Sequence, residues 1–170
     1  MPFKEEDFKF CWITEFPLFS FNEETHEWEP EHHPFTGVHP DDVNKLDSKE
    51  LGKIRSRSYD VVLNGTELGS GSIRISDSNL QAKIFNILGI SDEEARRRFG
   101  FFIDALKYGT PVHGGIAPGI DRLVALMCGL TDIREVIAFP KNKAAQDLMS
   151  ESPSSVNNDQ LKELKIKLDK

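Results

Sequence analysis

Much that would narrow the function quickly is missing from these 170 residues. Cysteine is scarce: Cys11 and Cys128 lie far apart and form no close-spaced metal pair. Reduced, buried thiols in a cytosolic protein are the expectation. No run approaches the ~18 apolar residues of a membrane span. The amino end, Met1-Pro-Phe-Lys-Glu-Glu-Asp7, lacks the apolar stretch of a secretory leader, so nothing argues for export. A cytoplasmic location without a membrane partner is expected. Basic charge is short as well, since 21 Lys and Arg against 28 Asp and Glu leave a net −7. A module that reads RNA by charge alone carries a basic footprint, so this balance argues against that class. An enzyme that binds a small anionic substrate through a few placed arginines remains compatible. Internal repeats and low-complexity tracts are absent too.

What is present is ordinary globular composition, 38% hydrophobic and 29% charged, in a length that can bury a core. Residues 9–21 are rich in aromatic and β-branched residues, and Pro17 divides them into two strand pieces. Residues 22–57 read as a long polar connection with one short helix near 40–51. Tyr59–Leu63 and 66–75 read as strands joined through Asn64-Gly65, a hairpin by turn chemistry. Leu80, Ile84, Ile87 and Leu88 recur at helical spacing before Gly89. Ser91-Asp-Glu-Glu94 is a capping box for a helix ending near Gly100, with a further helix over 101–108. A glycine-rich strand at 112–117, an apolar helix at 119–128 and a strand from Ile133 to Phe139 follow. Leu161, Leu164 and Leu168 give the tail one helical face. Hairpins mixed with separate helices predict an α+β fold, mainly an antiparallel sheet flanked by helices.

Three segments could carry chemistry. Glu31-His32-His33-Pro34-Phe35-Thr36 lies in the polar connection, and adjacent histidines do not form a helical metal pair. His26 and His39 raise the question of zinc, but no thiol or second close pair completes a site. A solvated loop and a mobile loop placing one imidazole against an anion both fit. The second segment, Asn64-Gly-Thr-Glu67-Leu-Gly69-Ser-Gly71-Ser72-Ile-Arg74, is so rich in glycine that a close approach to its backbone is expected. A regular strand sends Glu67 and Arg74 to opposite faces, whereas a bulge between them brings both to one. A plain edge strand with a surface ion pair remains the alternative. In the third segment, Gly114-Gly-Ile-Ala-Pro-Gly119-Ile-Asp121-Arg122, a glycine-rich strand runs into a helix N-terminus, where amides attract anions. Arg122 is tolerable in that first turn if its guanidinium reaches a phosphate or stacks on a base. Glycines that merely permit tight packing are the other reading.

In this order the three segments resemble the class II aminoacyl-tRNA synthetases. Gly119-Ile120-Asp121-Arg122 is similar to the family's third signature motif. Trp12-Ile-Thr-Glu-Phe-Pro-Leu-Phe19, His32-His-Pro-Phe35, Asp104-Ala-Leu-Lys-Tyr-Gly-Thr-Pro-Val-His-Gly114 and Val136-Ile-Ala-Phe-Pro-Lys141 narrow the resemblance to the bacterial-type aspartyl enzymes. The resemblance implies that L-aspartate is activated with ATP to aspartyl-adenylate and passed to the acceptor end of tRNA(Asp). It gives Arg74 the aspartate side-chain carboxylate, and His32 a place on a loop that closes near the amino acid. Asp60 and Glu67 would hold ATP through Mg²⁺, an ion that takes hard oxygen ligands. Gly119, Ile120, Asp121 and Arg122 would bind ATP, with Arg122 against adenine and phosphate. Arg122, Arg74 and Glu67 are the expected catalytic set.

Ser70 stands where the family commonly has glycine, Pro118 where it has an aromatic residue, and Glu15 where it has aspartate. None of the three is expected to touch the ligand groups. The first motif (a dimer interface), the second motif and the anticodon-binding barrel have no counterpart in these residues. Residues 1–170 are therefore expected to form a single, incomplete domain, the C-terminal portion of the catalytic domain of a homodimeric enzyme, inactive alone. A non-catalytic fragment or paralogue that binds nucleotide or a partner chain is the alternative.

Overall fold

The computed structural model describes residues 8–168. They fall into two compact units, divided after Gly119. The first holds β1 (Phe10–Thr14), β2 (Phe19–Asn22), β3 (Glu27–Pro30), β4 (Ser58–Leu63), β5 (Thr66–Ile73), α1 (Ser78–Ile87), α2 (Asp92–Leu106) and β6 (Gly114–Pro118). The second holds α3 (Ile120–Met127) and α4 (Asn158–Glu163). The α+β reading stands: a four-stranded sheet in the order β1-β4-β5-β6, antiparallel throughout, accompanied by helices. No helix among the described residues is long and apolar enough to cross a membrane.

The β4–β5 hairpin forms for the reason its turn predicts. Asn64 and Gly65 both take positive φ, 49° and 84°, the conformation a two-residue turn needs to match strand twist. Pro17 does split the first aromatic run into β1 and β2. What the sequence hides is β3, which pairs with β2 and sets Phe21 beside Trp28, ring centroids 5.2 Å apart. Its four residues carry one large apolar side chain, too few to show an alternation.

The rest of the connection is anchored. The segment Pro40–Asp47 is a 3-10 helix whose Asp42 is fully buried against Arg55. Arg55 donates from Nε (2.8 Å) and from its backbone N–H (3.0 Å) to one carboxylate oxygen, and from Nη2 (3.2 Å) to the other. Lys45 Nζ adds a bond at 2.6 Å, and these cations hold the Asp42 carboxyl far below the usual carboxylate range. Leu18, Phe19, Val38, Leu46, Ile54, Ile75 and Ile84 close a core between the small hairpin, this segment and α1.

Asp77 caps α1 by accepting from the Leu80 N–H at 2.7 Å, and Gly89 ends it with φ 69°. Ser91 caps α2, and the break expected near Gly100 is present as a non-helical residue, Phe99 (φ −131°, ψ 18°), that kinks the element into two helical segments. The kink puts the Phe99 ring parallel to that of Phe85, 5.6 Å away.

The second unit departs further from expectation. Residues 133–139 are not a strand. Asp132 accepts from the Arg134 N–H at 2.9 Å and takes its Nε at 2.9 and 3.1 Å, which winds Ile133–Glu135 into a 3-10 turn. Asn157 and Gln160 make a complete capping box for α4, yet the helix stops at Glu163 and Lys165 turns to φ 56°, so Leu168 never joins its face. Cys11 and Cys128 are free, as expected, but exposed rather than buried.

Candidate active site

One extra residue decides where the charged groups of the hairpin point. Across β4 and β5, Ser58 faces Ser72, Asp60 faces Ser70 and Val61 faces Gly69, but Val62 then faces Glu67. Leu68 is the unpaired residue of a β-bulge. Directly opposed residues share a face, and faces alternate along each strand. Ser58, Asp60, Ser70, Ser72 and Arg74 therefore lie on one face, and the bulge returns Glu67 to it. Without the bulge Glu67 would project from the other side.

The glycines serve this face indirectly. Tyr59 lies over Gly71 on the opposite face and donates from its hydroxyl to the Gly115 carbonyl at 3.1 Å. A Cβ at Gly71 would stand 2.1 Å from that oxygen and 2.7 Å from the Tyr59 ring. The close approach expected at the glycine run is thus made by a tyrosine of the same chain. Gly115 has a different use, because a Cβ there would meet Arg74 Nη2 at 3.4 Å. The guanidinium thus lies directly against the β6 backbone at Gly115.

The histidine segment covers the same face, and its backbone is anchored rather than that of a simply solvated loop. Its backbone is bonded at Glu31 to Leu18 (3.1 Å), at Gly37 to Ile73 (2.8 Å) and at Phe35 to Ile75 (3.0 Å). The Phe35 ring sits edge-on among Phe85, Phe99 and Phe102, with centroids 4.9–6.0 Å away. The Gln81 side chain donates to the Pro34 carbonyl at 2.8 Å. Phe35 therefore pins the segment to α1 and α2 while the histidines project over the sheet.

The two imidazoles have different surroundings. His32 is exposed, with Nδ1 3.3 Å from Thr36 Oγ1 and Nε2 3.5 Å from Ser70 Oγ. His33 is half-buried, and its Nδ1 accepts from Arg74 Nη1 at 3.2 Å and from the Phe35 N–H at 3.2 Å. Its Nε2 lies 3.3 Å from Ser72 Oγ. Burial, then the charge of Arg74, then His32, push its pKa down to about 4, so the ring is neutral near pH 7.

Phe16, Glu31, His32, Ser58, Asp60 and Ser70 line a cleft of about 190 Å³ on this face. The structure thus gathers His32, Asp60, Glu67 and Arg74 over one surface. It adds two residues the sequence reading passed over, His33 and Ser70. Ser70 faces Asp60 across the hairpin and lies 3.5 Å from His32 Nε2. Ser70 follows from strand parity once the bulge is known, whereas His33 is placed by its long-range contacts with Ser72 and Arg74. Glu15, by contrast, is engaged away from the cleft, 3.2 Å from Arg55 Nη1. Gly119 follows β6, its N–H donating to the Leu68 carbonyl at 2.6 Å. Ile120, Asp121 and Arg122 form the exposed first turn of α3 in the second unit.

Among the described residues no three His, Cys, Asp or Glu side chains converge as a metal centre. Asp60 and Glu67 are a pair of hard oxygen donors on one face. That set does not cage an ion, but it fits Mg²⁺, which is commonly held by one or two carboxylates together with substrate phosphates and water.

A guanidinium beside the neutral His33 ring, with His32 and two carboxylates on the same antiparallel face, can take a zwitterionic or anionic small molecule. The chain belongs to the class II tRNA synthetases (D, K and N), whose family profile matches residues 1–143. Within that family its sequence is similar to aspartate ligases. The aspartate–tRNA(Asp/Asn) ligase of Acidobacterium capsulatum is 53% identical over 163 residues, which is 95% of this chain and 27% of the relative. The aspartate–tRNA ligase of Clostridium botulinum is 52% identical over 96% of this chain and 27% of its own length. The aspartyl-tRNA synthetase structure from Entamoeba histolytica shares the fold, with a TM-score of 0.58 at 24% identity over 79% of this chain and 23% of that one. The chain spans about a quarter of the length of the curated relatives it matches.

Proposed function

We propose that this chain supplies part of the catalytic domain of an aspartate–tRNA ligase, residues 1–170 forming the C-terminal portion of that domain. The observation that carries the reading is the single sheet face on which a bulge assembles Arg74, Asp60 and Glu67 beneath the histidine segment. In the first step an oxygen of the aspartate α-carboxylate attacks the α-phosphorus of ATP. The bond to the bridging oxygen breaks, and pyrophosphate leaves. In the second, a hydroxyl of the terminal adenosine of tRNA(Asp) attacks the mixed anhydride and AMP leaves. Neither step needs a protein nucleophile, so positioning and charge are the enzyme's contribution.

Arg74 grips the aspartate side-chain carboxylate through two charge-assisted bonds, a planar match that lysine does not offer. His32 meets the amino acid from above the sheet. Arg122 lies against the adenine and phosphate, with Gly119, Ile120 and Asp121 forming the rest of that turn. Asp60 and Glu67 would hold Mg²⁺, which would neutralise part of the phosphate charge. The full enzyme acts as a homodimer in the cytoplasm, and this chain alone forms no aspartyl-adenylate.

The test is a chimera in which this chain replaces the matched 27% of the Acidobacterium capsulatum ligase. Aspartate-dependent ATP–pyrophosphate exchange is expected in the chimera, none from the 170-residue chain alone, and none with Arg74→Ala. A folded chimera that exchanges nothing would leave a non-catalytic nucleotide- or partner-binding chain as the better reading.

A further inference from the structure

Arg74 does not stand alone on its face. One of its amino groups, Nη1, is directed at His33 Nδ1, 3.2 Å away. The same nitrogen receives the Phe35 N–H at 3.2 Å and lies 3.2 Å from the Thr36 hydroxyl. A nitrogen surrounded by donors and a guanidinium must present a lone pair, which puts the ring proton on Nε2, facing Ser72 Oγ at 3.3 Å. Ser72 is fully buried, and Phe35 locks the loop backbone among three aromatic rings. The imidazole is therefore fixed on both sides before any ligand arrives.

We infer that His33 is the positioning residue of the aspartate subsite, holding the Arg74 guanidinium in place through Nδ1 without neutralising its charge. This rests on the role proposed above for Arg74. The chemistry explains why an imidazole stands there. A carboxylate would orient the guanidinium equally well but would cancel the charge needed to attract a ligand carboxylate. A neutral acceptor fixes the fork and leaves its charge intact. The bond to His33 uses Nη1, so Nη2, which lies beside Gly115, is the donor left to meet the substrate. The low basicity of His33 agrees with this arrangement, because protonation would set two cations against each other.

Four substitutions at one position separate orientation from charge. In the exchange-active chimera, His33→Ala is expected to raise the aspartate KM about tenfold, with kcat changed less than about twofold. His33→Asn, whose amide oxygen can replace Nδ1, should restore KM to within about threefold. His33→Asp keeps an acceptor but adds a negative charge, and should be at least as poor as alanine. His33→Gln reaches toward Ser72 rather than Arg74 and should resemble alanine. A KM unchanged in His33→Ala while Arg74→Ala abolishes exchange would overturn the inference and leave the reading of Arg74 intact. Equal behaviour of the Asn and Asp variants would also overturn it. If Arg74→Ala itself has no effect, the role of Arg74 fails first. The orientation claim is then decided in the 170-residue chain by ¹⁵N NMR. Slower rotation of the Arg74 guanidinium in the wild type than in His33→Ala supports it, and equal rates refute it.

Discussion

Gly71→Ala should cost far more than a methyl group ordinarily does inside a strand. The new Cβ would lie 2.1 Å from the Gly115 carbonyl oxygen and 2.9 Å from Ile116 Cα, both backbone atoms of β6. Ordinary contact begins near 3.4 Å, so β6 must move away by more than an ångström, and the Tyr59 ring, at 2.7 Å, must move too. A shift of that size breaks the ladder bonds flanking the Gly71–Ile116 pair, two bonds at about 1 kcal/mol each. Overpacking strain adds about 2 kcal/mol, for a total near 4 kcal/mol. A domain of this size has about 5–15 kcal/mol in all, so the loss should be large in urea denaturation followed by tryptophan fluorescence. Two controls bracket the result. Gly52→Ala meets only the Trp28 ring at 3.5 Å and should be near neutral, whereas Gly65→Ala has open space but a φ of 84° and should cost about 1 kcal/mol. A Gly71→Ala loss below about 1 kcal/mol, or equal to that of Gly65→Ala, would refute the packing of Tyr59 across β5.

His33 has a folded pKa of about 4 against 6.5 when unfolded, so the unfolded chain takes up more protons between those values. Its contribution is complete above about pH 6.5 and is lost as the pH falls toward 4. The full shift would be worth about 3 kcal/mol, which partial exposure brings to about 2. Urea titrations of the wild type should show that slope, and His33→Asn should flatten it. Phe35→Ala removes the ring between α1 and α2 and should cost about 3 kcal/mol, with hydrogen exchange rising through the histidine segment. Strand β1 is an edge of the sheet and exposes Phe10, Trp12 and Ile13, so the 170-residue chain should self-associate in light scattering. Trp12→Lys should reduce that association without lowering the unfolding midpoint by more than a few degrees.

Signals carried by neighbouring residues were legible in the sequence alone. Asn64-Gly65 demanded a tight hairpin, Asp77 and Ser91 capped the helices behind them, and Gly89 ended α1, because each acts on backbone groups a few residues away. Family membership was legible for a similar reason, in short motifs whose order along the chain survives any detail of packing. What needed the third dimension was parity and partnership. The sequence left open whether Glu67 and Arg74 share a face. That depended on one unpaired residue, Leu68, whose place is set by how β4 registers against β5. Strand β3 exists because Trp28 finds Phe21, and residues 133–139 turn because Asp132 captures Arg134. His33 looked like half of a solvated pair. Only the fold, by carrying Arg74 and Ser72 to its two nitrogens from about forty residues away, gave the ring its neutral form and its proposed task.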